Sequence, residues 1–308
     1  MRQVAAAAES LGFDSVWLCD HFLTLAPEAY AKDAGVDRTA PSDGAEAARS
    51  GSMPLLECWT TLSALARDTA RLRLGTSVLC HSYRSPSVLA KMAATLDVIS
   101  EGRVDLGLGA GWFEKEYTAY GIPFPKTSER IAQLDEGVEV IRRMWTQSSP
   151  TFRGAHYTIE GAVCDPPPVQ RPHPPIWIGG EGDKVHRVAA RAADGVNVRW
   201  WSPERLAARG EFLDRACREW GRDPATLRRS VTVLLSPQRE RAAAARTRAR
   251  FAAIPADGVI AGTPDECITR IREYLRVGVR HFLFTIPDVA TLEALEIAGR
   301  DVLPAVRR

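Results

Sequence analysis

Short runs of apolar and β-branched residues alternate along the chain with longer stretches whose apolar positions recur every three or four residues. The first pattern is that of a buried strand and the second that of an amphipathic helix. Helical spacing over 3–11 stops at Gly12, and SVWLC at 15–19 reads as a strand. The alternation then continues, with helices at 54–67, 87–100, 128–145, 185–193, 203–220, 264–277 and 288–302 and strands at 72–79, 104–108, 175–178, 196–198, 230–235 and 281–285. Gly102 falls just past the helix 87–100, where a glycine takes the left-handed conformation that ends helices. Strand and helix in strict succession imply a parallel sheet with helical crossovers. The spacing suits one barrel better than two doubly wound units, so the expected fold is a single (β/α)8 TIM-barrel domain over 1–308. Seven barrel strands are counted where the fold needs eight. The barrel is therefore expected to lack its first strand, with the true start of the protein upstream of Met1.

Two stretches break the rhythm. Residues 26–53 are polar with scattered glycine and proline, and 148–174 contain PPPVQRPHPP. Loops of this length in a compact domain are functional or disordered. The first follows the C-terminal end of a strand, the end at which barrel enzymes build their active sites, so it reads as a substrate cover or a surface insertion.

Composition narrows the function classes. Hydrophobic residues make up 45% and charged residues 25%, ordinary for a soluble globular protein, and the formal net charge is +2. Neither a basic surface nor a motif for nucleic acid is present. No apolar run is long enough to span a bilayer, and the first residues lack the features of a signal peptide. Six cysteines at 19, 58, 80, 164, 217 and 267 form no C-x-x-C pair and no metal-ligand spacing with histidine, so reduced thiols, no metal site and a cytoplasmic location are expected.

The chemistry-bearing residues sit at strand ends. Asp20 and His21 directly follow the first strand; a histidine there serves as general acid or base, or caps a loop. Gly75, Thr76, Ser77 and Val78 end the next strand, where small residues allow a ligand to approach the backbone or mark an ordinary bulge. Gly107, Gly109 and Gly111 alternate through LGLGAGW, leaving bare N–H groups that suit an oxyanion or a flat ring; the G-x-G-x-x-G spacing of a dinucleotide fingerprint is missing. Gly179, Gly180, Glu181 and Gly182 form a strand-to-helix turn of the kind that binds phosphate, with Glu181 an awkward neighbour unless it turns away. The basic segment 239–250 reads as a solvated helix that would also attract an anionic cofactor tail.

Taken together, LGFDSVWLCDHF (11–22), RLRLGTSVL (71–79), the block from YRSPSVLAKM to GIPFP (83–125), PPIWIGGEG (174–182) and 261–288 resemble the luciferase-like monooxygenases, in the branch of F420-dependent oxidoreductases. The resemblance runs from Ala5 over nearly the whole chain. It implies a (β/α)8 barrel that transfers a hydride between the deazaflavin coenzyme F420 and a small organic substrate. It implies that Asp20 and His21 are catalytic, with Asp20 orienting His21. Ser77–Val78 would be a cis peptide behind the cofactor ring, with Gly109, Ala110 and Gly111 beside it, and Gly179, Gly180 and Glu181 would hold the cofactor's phosphate. Trp112 stands where the sugar-phosphate dehydrogenases of the family carry an acidic proton donor, so sugar-phosphate oxidation is not expected; a tryptophan suits stacking or a lipophilic substrate wall. A homodimer, and a flavin or F420 reductase as cofactor supplier, also follow from the resemblance. The alternatives are an FMN-dependent monooxygenase of the same family and a non-catalytic ligand-binding barrel.

Overall fold

The computed structural model describes residues 1–23 and 54–307. The expected insertion at 26–53 lies outside the described residues. The chain opens with the helix Arg2–Ser10 and β1 (Ser15–Leu18). The helix Cys58–Asp68 leads to β2 (Arg73–Thr76) and β3 (Leu79–Cys80), and the helix Pro86–Ile99 to β4 (Val104–Gly109). The helices Glu114–Ala119 and Thr127–Thr146 and a small hairpin of β5 (Phe152–Arg153) and β6 (Thr158–Ile159) precede β7 (Ile176–Gly179). The helix Asp183–Ala192 connects to β8 (Gly195–Arg199), and the helix Pro203–Glu219 to β9 (Arg228–Pro237). The helix Arg241–Arg250, β10 (Val259–Gly262), the helix Pro264–Arg276 and β11 (His281–Thr285) follow.

The sheet is parallel and curled, in the order β1-β2-β4-β7-β8-β9, as the alternation in the sequence requires. The long β9 serves two partners: Ser230–Leu234 pairs with β11, and Leu234–Pro237 with β10. Among the described residues β1 and β11 are not hydrogen-bonded to each other, and the position between them is where an eighth strand of a (β/α)8 barrel stands. Side chains reach across it: the rings of Trp17 on β1 and His281 on β11 lie 5.3 Å apart.

Three expected elements differ in the structure. The strand 72–79 is broken after Thr76 by a cis peptide between Ser77 and Val78 and resumes as β3. The helix 54–67 begins only at Cys58, because the Glu57 carboxylate accepts hydrogen bonds from the N–H groups of Trp59 and Thr60 and caps it there. The helix 288–302 is interrupted: Asp288 and Leu292 take positive φ, a π turn covers Ala298–Val302, and a last short helix follows at Leu303–Val306. β10 was not expected; four residues give too few positions for a period to register.

The strand period of two sorts the side chains. Leu74, Leu106, Leu108, Ile176, Ile178 and Val196 are buried against helix residues such as Leu62, Leu89, Leu134 and Val138. Each such burial is worth about 1.5–3 kcal/mol. The intervening residues face into the curl. There Trp177 stacks on His281 at 4.7 Å and meets Trp17 edge-on at 5.8 Å. Glycines make the room: a Cβ on Gly75 would lie 2.2 Å from the Trp17 indole, and one on Gly195 2.2 Å from the Trp177 indole. The Trp177 Nε1–H donates to Asp105 at 3.0 Å, and Asp105 pairs with Arg73 at 2.6 Å. Gly75 thus serves indole packing, not ligand approach.

The proline-rich stretch 148–174 packs at the end of the barrel away from the strand C-termini. Gln170 donates to Asp97 at 2.7 Å and to the carbonyl of Val104, where β4 begins, and Arg73 at the start of β2 donates to Gln170. All six cysteines are free thiols, as expected. Among the described residues no helix is long and apolar enough to cross a membrane, and no cluster of side chains forms a metal site.

Candidate active site

The C-terminal ends of β1, β2, β4 and β7 open onto one mouth. Asp20, only 3% exposed, continues from β1 and faces sideways into the protein. Its carboxylate takes two hydrogen bonds from Arg84, at 2.8 and 3.0 Å, and one from the Cys80 N–H at 3.1 Å. Arg84 also reaches Glu57 at 2.5 Å. Burial opposes the Arg84 charge, but the hydrogen bonds and charges of Asp20 and Glu57 outweigh it and hold the guanidinium above its ordinary pKa. Asp20 therefore ties the end of β1 to β3 and does not orient His21.

That task falls to a residue the sequence did not single out. His21 Nδ1 lies 2.9 Å from Glu116 Oε2. Glu116 is fully buried on the short helix Glu114–Ala119, just beyond the glycine turn that ends β4. The same carboxylate accepts the N–H groups of Phe22 at 2.7 Å and Leu23 at 2.9 Å and the Tyr83 hydroxyl at 2.8 Å. Burial alone would raise its pKa, but the hydrogen bonds and charge of His21, with the other donors, bring it below the usual carboxylate range. Burial raises the Tyr83 phenol, which stays protonated and able to donate. The His21 ring lies edge-on to Trp112 at 5.8 Å and to Phe113 at 6.3 Å, so the imidazole stands in an aromatic surround.

The floor of the mouth is one branched side chain. A Cβ on Gly109 or on Gly179 would come within 2.7 Å of the Val78 methyls, and one on Gly107 would collide with the Thr76 carbonyl at 1.9 Å. The alternate glycines of β4 thus admit Val78 and the bent segment that carries it, a physical reason that their spacing alone did not reveal. Gly111, at φ +76°, closes the turn through Ala110 to Trp112 against the Tyr117 hydroxyl, which a Cβ would meet at 1.9 Å.

At the end of β7, Gly180 takes φ +145°, and its carbonyl accepts a hydrogen bond from His186 Nε2 at 2.9 Å. Burial pushes the His186 imidazole down to about 4, so it is neutral at pH 7. The helix Asp183–Ala192 starts at Gly182 with no side chain capping it, and a Cβ on Gly182 would touch nothing within 4 Å. Glu181 turns to Arg205 at 3.1 Å and Asp183 to Arg209. Neither carboxylate caps the helix N-terminus, and two arginines stand beside it.

Val78 thus brings Ser77–Val78, Gly109 and Gly179 together, and Trp112 joins them to His21. Gly180 and Glu181 extend the mouth toward an uncapped helix. Arg84, Tyr83 and Glu116 became visible only in three dimensions. Glu116 lies in the run Trp112-Phe113-Glu114-Lys115-Glu116-Tyr117, where a second carboxylate and a lysine stand beside it, so no local signal set it apart.

The profile of the luciferase-like monooxygenase family matches residues 1–257. An F420-dependent glucose-6-phosphate dehydrogenase of Nakamurella multipartita is 31% identical over 343 residues, covering 100% of this chain and 92% of that protein. One of Amycolatopsis mediterranei is 29% identical over 337 residues, covering 99% and 93%. Among solved structures, an F420-dependent secondary alcohol dehydrogenase in complex with an F420–acetone adduct superposes with a TM-score of 0.80 at 23% identity, covering 100% of this chain and 94% of that one.

Proposed function

The chain belongs to the luciferase-like monooxygenase family, and on that premise we propose that it is an oxidoreductase transferring a hydride between coenzyme F420 and a small organic substrate. The observation that carries this reading is the mouth itself: His21, held by Glu116, lies edge-on to Trp112 just past the glycine turn of β4, and Val78 fills the floor between the bare ends of β4 and β7.

The residues fit such a cofactor. Gly180, Glu181 and Gly182 lead into an uncapped helix N-terminus flanked by Arg205 and Arg209, the arrangement that receives a phosphate. Val78 would support the ring from below, with Ser77, Gly109, Ala110 and Gly111 alongside. When bound, the deazaflavin supplies C5 as the hydride donor or acceptor. The protein's own part is to place the substrate against that face, to exclude water with Trp112 and Phe113, and to hold a proton at the substrate oxygen through His21. Asp20 acts at one remove, by securing the end of β1.

The relatives named above are glucose-6-phosphate dehydrogenases. In this chain Trp112 follows the glycine turn, beside His21. An indole there offers an apolar wall and no acid, so the substrate proposed is a small apolar alcohol or carbonyl compound and not a sugar phosphate. The same reading makes the protein a cytoplasmic homodimer served by an F420 reductase.

Titration of the purified protein with F420 and with FMN, followed by absorbance and fluorescence, tests the cofactor. Tight binding of F420 alone is expected, and preferential binding of FMN overturns the reading. His21→Ala should abolish F420-linked turnover while changing F420 affinity by less than about threefold. Turnover that survives this substitution removes His21 from the chemistry.

A further inference from the structure

Glu116 makes an unusual set of contacts for a residue 95 positions from its main partner. Its carboxylate has no exposure, and four donors saturate it, two on each oxygen. Oε1 takes the Phe22 and Leu23 N–H groups, and Oε2 takes the Tyr83 hydroxyl and His21 Nδ1. An ionised carboxylate only accepts hydrogen bonds, so Nδ1 of His21 must carry a hydrogen. In the neutral imidazole the remaining nitrogen, Nε2, is then the free acceptor.

We propose that Glu116 is the positioning residue of His21, fixing the Nδ1–H tautomer so that Nε2 is the atom that exchanges a proton with the substrate oxygen. The proposal rests on the reading of His21 given above. Glu116 touches neither substrate nor cofactor and acts through the imidazole. The two backbone N–H groups on Oε1 serve the same end, since they hold the chain that carries His21 to the helix that carries Glu116.

The partition of donors makes a sharp test. In Glu116→Gln the amide oxygen takes the Oε1 position and keeps the Phe22 and Leu23 hydrogen bonds. The NH2 then faces His21 Nδ1 and forces it to accept, which moves the hydrogen to Nε2. Two-dimensional 15N–1H spectra of histidine-labelled protein report the tautomer directly, with His21 assigned by its loss in His21→Ala. The native protein is expected to show Nδ1–H, and Glu116→Gln to show Nε2–H. In the same variant kcat should fall roughly 10- to 100-fold, the scale on which losing the partner of a functional histidine acts, with F420 affinity kept within about threefold. An Nε2–H tautomer in the native protein overturns the proposal, and that measurement stands even if Glu116→Gln does not fold. A folded Glu116→Gln that keeps Nδ1–H and full kcat also overturns it. Failure of the protein to bind F420 counts against the proposed function, whereas the tautomer decides the role of Glu116 separately.

Discussion

Arg84 meets Asp20 with two hydrogen bonds, of 2.8 and 3.0 Å, at the point where β1 runs into the mouth. The Asp20 side chain has no exposure and that of Arg84 only 13%. Removing one member of a buried pair strands the other charge, at a cost of about 3–5 kcal/mol. Arg84 keeps Glu57 as a partner in Asp20→Ala, so the loss in urea unfolding should fall short of that scale, at about 1–3 kcal/mol for the Arg84 and Cys80 N–H donors left without Asp20. A loss below about 1 kcal/mol would place the pair among ordinary surface bridges and leave the end of β1 held by other contacts.

The Gly75–Trp17 contact leads to a second expectation. A Cβ at Gly75 would lie 2.2 Å from the indole, so Gly75→Ala overpacks the inside of the curl. The expected loss is about 1–3 kcal/mol. Trp17→Leu shrinks the side chain that causes the clash, so the double variant should lose less stability than the sum of the two single ones. Thermal unfolding of the three variants measures the coupling, and simple additivity would mean that the indole does not set the residue at 75.

Stability should also depend on pH through three buried histidines. Burial pushes His81, His186 and His281 down to about 4, from an ordinary value of 6.5. Between those values the unfolded chain binds the protons and the folded one does not, so the stabilisation is complete above pH ~6.5 and is lost as pH falls toward ~4. Each group contributes at most about 1.4 kcal/mol per pH unit. The urea midpoint should fall steadily between pH 6.5 and pH 5, and His281→Asn should flatten the fall by about one proton. An unchanged slope in that variant would show that His281 is accessible to protons in the folded state.

Much of the site was legible in the sequence because its signals are local. Glycines at strand ends, a histidine directly after a strand and a glycine-rich turn before a helix can all be read over a few residues. The segments at 20–21, 77–78, 109–112 and 179–181 were read in this way as candidates; all follow the C-terminal ends of strands, although Asp20 turns aside to Arg84. Misread were the reasons for particular glycines. Gly75 accommodates Trp17, and Gly109 and Gly179 accommodate Val78; what occupies the space over a glycine belongs to another strand and leaves no trace in the local pattern.

The period of apolar positions by itself determined the seven barrel strands, the helices between them and the parallel sheet, since a period is a property of neighbouring residues. Only the tertiary structure decided which carboxylate serves His21. Asp20 adjoins it in sequence, but β1 turns that side chain toward Arg84, while the helix after β4 brings Glu116 to 2.9 Å from across 95 residues. Adjacent positions at the end of a strand point in opposite directions, so the nearest residue along the chain is the one least able to reach.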